Sequence, residues 1–138
     1  RVIDVVRGEL SEDLTQYKIA VLGATFKPDS DDVRDSPALD IAAQLQAAGA
    51  IVVVHDPQGI EPARKRFPNL EYQEVVTDAL KDADLILHLT EWKEYRQIDP
   101  AAIASLVKSK IIIDGRNMLD RTLWRKAGWK FHALGRTD

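Results

Sequence analysis

Five short runs of aliphatic residues, 18–23, 51–55, 84–89, 110–114 and 130–134, set the frame of this chain. Ile51-Val52-Val53-Val54 and Ile111-Ile112-Ile113 are apolar at every position. A strand with a wet face alternates apolar and polar residues, so continuous runs belong to strands covered on both faces. Helical signals fill the intervals. Ser36 and Pro37 supply a cap and a first-position proline, Ala38, Ile41, Ala42 and Leu45 recur at helical spacing, and Gly49 marks the end. Asp99 and Pro100 repeat the start signal ahead of Ile103, Leu106 and Val107. Further helices are expected around 60–66, from a Thr77 cap through Ala83, and over 119–127, with a brief edge strand at Leu70-Glu71-Tyr72. Strands alternating with helices form crossovers of one hand. The pattern predicts an α/β fold: a Rossmann-like three-layer α/β/α sandwich with a mainly parallel sheet of five to six strands, the first strand central.

Residues 18–138 are expected to form one domain. Val2, Val5, Val6 and Leu10 stand at helical spacing. Residues 1–17 therefore read as the end of a helix belonging mostly to an upstream region, followed by a linker. The chain opens on Arg1, and a piece of something longer is the expectation.

Composition removes several function classes. At 138 residues and 45% apolar, the chain can bury a proper core. It has no cysteine, so disulfides, thiolate metal sites and a cysteine nucleophile are excluded within it. That fits a reducing compartment, and the cytoplasm is the expected location. The formal net charge of −3 speaks against non-specific nucleic-acid binding. No apolar run approaches the roughly 20 residues of a membrane span, so no membrane partner is expected.

Function is sought first in residues 26–37, FKPDSDDVRDSP. A strand usually reaches its helix through about 2–6 residues; here a dozen residues intervene, carrying Lys27, Arg34 and four aspartates. In an open parallel sheet, the loops at the carboxyl ends of the strands share one edge, where ligands bind. That edge also receives Asp56-Pro57, Thr90-Glu91-Trp92, Asp114-Gly115-Arg116-Asn117 and Gly135-Arg136. Guanidinium groups match phosphate oxygens in a two-pronged fork, lysine adds a point charge, and an indole face can stack on a base. The residues point to an anionic, nucleotide-like ligand. Other readings stand beside it. Lys27 and Arg34 could pair with the neighbouring aspartates, those aspartates could hold a divalent cation, Arg116 could be a turn residue, and Trp92 could be core. His55, His88 and His132 fall within strand patterns and receive no role. Gly23 stands alone without a G-x-G-x-x-G fingerprint, which excludes an ordinary dinucleotide site.

GATFKPDSDDVRDSP at 23–37, TEW at 90–92 and DGRN at 114–117 together resemble the UDP-glucose/GDP-mannose dehydrogenase family, in its C-terminal UDP-binding domain. The resemblance covers about residues 18–135, with Ser30 where the family usually has threonine. It implies that Phe26 and Lys27 contact a UDP-sugar and Arg116 the nucleotide portion. Arg34 would reach NAD held by another domain, and Trp92 and Asn117 would stand at the ligand edge. Phe26 rather than tyrosine favours UDP-glucose, oxidised to UDP-glucuronate, over UDP-aminosugars; the same domain of a UDP-N-acetylmannosamine or GDP-mannose dehydrogenase is the alternative. The family's catalytic cysteine and NAD fingerprint lie upstream of this region, so no catalytic residue is expected here. The resemblance further implies a homodimer or higher oligomer of the whole enzyme. A stand-alone nucleotide-binding regulatory module and a dimerisation domain are the competing readings.

Overall fold

A computed structural model of the chain describes residues 1–134. The elements in order are α1 (Val2–Glu9), β1 (Lys18–Leu22), α2 (Pro37–Ala47), β2 (Ile51–His55), α3 (Ile60–Arg66), β3 (Glu71–Tyr72) and α4 (Val76–Leu80). There follow β4 (Leu85–His88), α5 (Lys93–Arg96), α6 (Pro100–Ile103), β5 (Ile111–Asp114), α7 (Arg121–Lys126) and β6 (Lys130–Ala133). All six strands are parallel, in the order β3-β2-β1-β4-β5-β6. The fold is the expected Rossmann-like sandwich, with β1 inside and the two-residue β3 at an edge.

Side chains of a strand alternate between faces. Ile19 and Val21 of β1 accordingly point into one core, with Val6, Leu39, Leu45 and Ala63 from α1, α2 and α3. Ala20 and Leu22 point into the other, with Leu80, Tyr95, Ile103 and Trp124 from α4, α5, α6 and α7. The crossovers β1-α2-β2-α3-β3 place α2 and α3 on the first face. Helix α1 joins that layer through the fully buried Val6, and Glu9 at its end pairs with Lys130 of β6 at 2.8 Å. A helix preceding the first strand thus helps cover the face that the crossovers leave open.

Two start signals form as expected. Ser36 Oγ accepts the Leu39 N–H at 3.3 Å and Asp99 Oδ1 accepts that of Ala101 at 3.0 Å, each followed by proline. Two expectations need correction. Thr77 is not a cap: α4 begins after Val75, whose carbonyl accepts the N–H groups of Asp78 and Ala79, and ends at Leu80. Helix α6 stops at Ile103, because the chain beyond it is drawn back by Lys108 N–H to the Ala83 carbonyl and Asp82 N–H to that of Leu106. Leu106 and Val107 still pack against the second core. The one-turn helix α5 was not anticipated.

Buried carboxylates brace the carboxyl edge of the sheet at two points. Asp56, just past β2, accepts N–H groups from Ala24 (2.7 Å), Thr25 (3.1 Å), Gln58 (3.0 Å), Gly59 (2.7 Å) and the Trp92 indole (3.2 Å). Asp114, the last residue of β5, accepts from His88 Nδ1 (2.9 Å) and from the main chain at 116–119 (2.8–3.0 Å). Burial raises the Asp114 pKa, but the His88 and main-chain hydrogen bonds outweigh it and leave the carboxyl below its usual value.

Two stability predictions follow from this edge. Gly23 has φ +111°, and a Cβ there would lie 2.5 Å from Thr90. Strain plus overlap should make Gly23→Ala cost about 3 kcal/mol or more in denaturant unfolding. Asp114, its folded pKa depressed, contributes stability that is fully present above its unfolded pKa and is lost as pH falls through the folded one. Unfolding free energies should therefore drop below about pH 4, and Asp114→Asn should flatten part of that drop.

Candidate nucleotide-binding edge

The loop after β1 is held by polar contacts from beneath. Thr25 is buried, and its hydroxyl proton reaches the Lys27 carbonyl at 2.9 Å. The same oxygen can then accept from the Trp92 indole N–H, 3.3 Å away. Thr90 Oγ1 donates to the Thr25 carbonyl at 2.9 Å. At the far end of the loop, Ser36 Oγ donates to the Ala24 carbonyl at 2.7 Å, closing residues 24–36 into a ring. Asp29 and Asp35 hold φ values of 60° and 54°, a region costly for residues other than glycine unless the surroundings impose it.

Phe26 and Lys27 stand on the outside of this ring. Phe26 is 56% exposed, an uncommon position for a large aromatic ring. Lys27 is exposed and makes no ion pair among the described residues. Arg34 is also exposed, and its Nε and Nη2 both donate to the Asp32 carboxylate at 3.1 Å. Those hydrogen bonds hold the Asp32 pKa down to about 2. The pairing of Arg34 with a neighbouring aspartate is therefore real, although it occupies only one edge of the guanidinium. Arg34 and Asp32 separate two open grooves, one of about 300 Å³ with Phe26 and Asp35, the other of about 560 Å³ with Pro62, Lys65 and Arg66. Neither groove is lined by Lys27 or Arg116.

Arg116 projects from the turn after β5 and is 41% exposed. Its Nε and Nη2 donate to the two Glu91 oxygens at 3.0 and 3.3 Å. Burial raises the Glu91 pKa, but its own main-chain hydrogen bond and Arg116 more than offset this and lower it. A guanidinium has five N–H donors, so this pair leaves three for another oxygen ligand. Asn117 is exposed beside it, with φ 59°. Gly135 and Arg136 lie outside the described residues.

Trp92 is placed differently from the ligand-edge expectation. It is 5% exposed, packs in the second core and spends its N–H on Asp56 and Thr25. An indole with no open face offers no stacking platform, and its place here is as a brace beneath the Lys27 loop. Behind it, Tyr95 Oη lies 2.7 Å from His55 Nδ1 and donates to the His55 carbonyl at 3.0 Å. Burial pushes the Tyr95 hydroxyl well above its ordinary pKa and the His55 ring below its own. Among the described residues, no group of three His, Asp or Glu is placed to hold a metal ion. No helix among them is long and apolar enough to cross a membrane.

Sequence reasoning put Asp56 and Glu91 on the ligand edge and Thr25 within the family motif, but gave none of these three, nor His88, a role of its own. The only sequence signal was that each follows or ends an apolar run.

The turn after β1 is closed to a diphosphate held in the glycine-rich manner. Its Ala24 and Thr25 N–H groups are spent on Asp56, and Thr90 fills the space beside Gly23. The Ala24 and Thr25 N–H groups are therefore not free for a phosphate, whereas Lys27 and Arg116 present their side chains to solvent.

Comparison with known proteins agrees with this geometry. The profile of the "UDP-glucose/GDP-mannose dehydrogenase family, UDP binding domain" matches residues 20–121. A UDP-glucose 6-dehydrogenase from Rhizobium meliloti is 40% identical over 91% of this chain and 29% of its own length. One from Bacillus subtilis is 40% identical over 86% of this chain and 26% of its own. Among solved structures, a UDP-glucose dehydrogenase from Pyrobaculum islandicum superposes with a TM-score of 0.80 at 28% identity, covering 98% of this chain and 29% of that one. An NDP-N-acetyl-D-galactosaminuronic acid dehydrogenase from Methanosarcina mazei gives 0.82 at 26% identity, over 98% and 28%. The chain thus spans about three-tenths of the length of the curated relatives it matches. With the profile covering most of its length, the chain belongs to the UDP-glucose/GDP-mannose dehydrogenase family, in that family's UDP-binding domain.

Proposed function

We propose that this chain is the nucleotide-sugar-binding part of an NAD-dependent UDP-glucose 6-dehydrogenase, which oxidises UDP-glucose to UDP-glucuronate in the cytoplasm. The observation that carries the reading is the pairing of two outward cations with two rigid turns on one sheet edge. Lys27 leaves the ring closed by Thr25 and Ser36, and Arg116 leaves the turn wound on Asp114. Lys27 and exposed Phe26 meet the UDP-sugar, Arg116 meets the nucleotide portion, and Asn117 stands at the rim. UDP-glucose is favoured because the curated relatives at about 40% identity carry that name.

Arg34 serves a different ligand. It lines two grooves that neither Lys27 nor Arg116 lines, the smaller shared with Phe26, and NAD held by another domain can meet it in the larger, beside Pro62, Lys65 and Arg66. Residues 1–17 are the end of the region that connects those domains, and residues 18–138 are the UDP-binding unit. The whole enzyme works as a homodimer or higher oligomer. This chain carries no cysteine and no dinucleotide fingerprint, so by itself it supplies binding and no catalytic residue.

Two measurements check the assignment. Charge-assisted hydrogen bonds contribute roughly 1.5–3 kcal/mol each. Calorimetric titration with UDP should therefore show Lys27→Ala and Arg116→Ala each weakening binding about tenfold or more, with a smaller effect at high salt. Unchanged affinity in both would show that these loops are only solvated surface. Arg34→Ala should leave UDP affinity nearly unchanged while raising the Michaelis constant for NAD in the whole enzyme. A large loss of UDP affinity would move Arg34 into the UDP site.

A further inference from the structure

Arg116 is constrained twice, and the stronger constraint acts on its main chain. Asp114 is fully buried, and among the described residues no lysine or arginine pairs with its carboxylate. One oxygen accepts His88 Nδ1 at 2.9 Å and the N–H groups of Arg116 (2.9 Å) and Asn117 (3.0 Å). The other accepts those of Met118 and Leu119, both at 2.8 Å. An ionised carboxylate only accepts, so His88 carries its proton on Nδ1. His88 is itself fully buried, with its ring edge-on to Tyr95 at 5.8 Å. Arg116, Asn117 and Met118 are all exposed, so little apolar packing holds this turn. Four consecutive main-chain donors converge on one side chain instead, and Asn117 adopts its left-handed φ of 59° to allow it.

We propose that Asp114, held by His88, is the positioning residue for Arg116: its carboxylate winds residues 116–119 into the turn that presents the guanidinium to a nucleotide diphosphate. This deepens the reading above and rests on UDP binding at this edge. An amide at position 114 would have one acceptor oxygen and an NH₂ group. With five donors facing it, that NH₂ must point at N–H groups, so Asp114→Asn unwinds the turn at nearly constant volume. His88→Asn keeps a side-chain N–H near the place of Nδ1, whereas His88→Leu removes it.

The test is a set of UDP dissociation constants measured by calorimetry on the full-length protein, with a thermal unfolding curve for each variant. The variants are Arg116→Ala, Asp114→Asn, His88→Leu, His88→Asn, and the first combined with each of the next two. Asp114→Asn should weaken UDP binding about tenfold. His88→Leu should weaken it several-fold, and His88→Asn should recover most of that loss. In the Arg116→Ala background neither Asp114→Asn nor His88→Leu should weaken binding further, because all act through one guanidinium. Losses that add in full to that of Arg116→Ala would overturn the proposal, as would a folded Asp114→Asn protein that binds UDP normally. If Asp114→Asn does not fold, the contrast between His88→Leu and His88→Asn decides, and equal losses in those two overturn it. An Arg116→Ala protein that binds UDP normally would instead sink the site assignment itself, whatever the Asp114 and His88 variants do.

Discussion

A single buried carboxylate, that of Asp56, ties together three strands at the edge where ligands meet this fold. It accepts two N–H groups from the turn after β1, two from the start of α3 and one from the indole after β4. A carboxylate removed from water is stable only when its oxygens are satisfied, and here N–H dipoles do this without a cationic partner. The converse constraint is as strong. Each of those donors, left unpaired in the interior, would cost about 1–3 kcal/mol. Four or five of them approach the roughly 5–15 kcal/mol by which a whole domain is stable. The turn after β1 is therefore tied to the interior, and the loop carrying Phe26 and Lys27 is anchored to it through Thr25.

The same device recurs on the other side of β4. Asp114 gathers four main-chain donors and one imidazole, and the loop carrying Arg116 inherits its shape from them. Between the two carboxylates lies a polar layer of His55, Tyr95, His88, Thr90 and Trp92, all buried. A nucleotide-binding Rossmann turn aims its first N–H groups at phosphate. Here those groups are turned inward to Asp56 and the space beside Gly23 is filled by Thr90. The parallel sheet is kept, its usual phosphate cradle is closed, and in the proposed site recognition falls to long cationic side chains on braced loops. A chain with net charge −3 can bind an anion in this way, because the positive charge is concentrated where the loops place it.

Much of this was legible in the residues, for identifiable reasons. The strands announced themselves because parallel strands covered on both faces need unbroken apolar runs, as at 51–54 and 111–113. Ser36-Pro37 and Asp99-Pro100 were readable because a cap bond forms between near neighbours. Arg34 beside Asp32 was readable on the same ground. Trp92 was not, because the sequence does not say whether a tryptophan after a strand faces in or out. Its partners Asp56 and Thr25 lie 36 and 67 positions away. Asp56-Pro57 and Asp114-Gly115 look like ordinary turn residues until the fold buries them. Thr77 failed as a cap because main-chain bonding to Val75 began the helix earlier. Local chemistry located the loops, and long-range hydrogen bonding decided which of their side chains face solvent.

The most direct test of this account is a titration of the protein with UDP followed through its backbone amide resonances. The braced-edge account predicts that the largest changes fall at residues 26–27 and at Gly115, whose amides neither carboxylate holds. The amides of Ala24, Gly59 and Leu119, bonded to Asp56 and Asp114, should stay nearly fixed, because the carboxylates hold the same turns before and after binding. Changes centred instead on residues 31–34 and 62–66, in the groove beside α3, would contradict it. So would a large movement of the Asp56-bonded amides, since the loops would then be shaped by the ligand and not by the buried carboxylates.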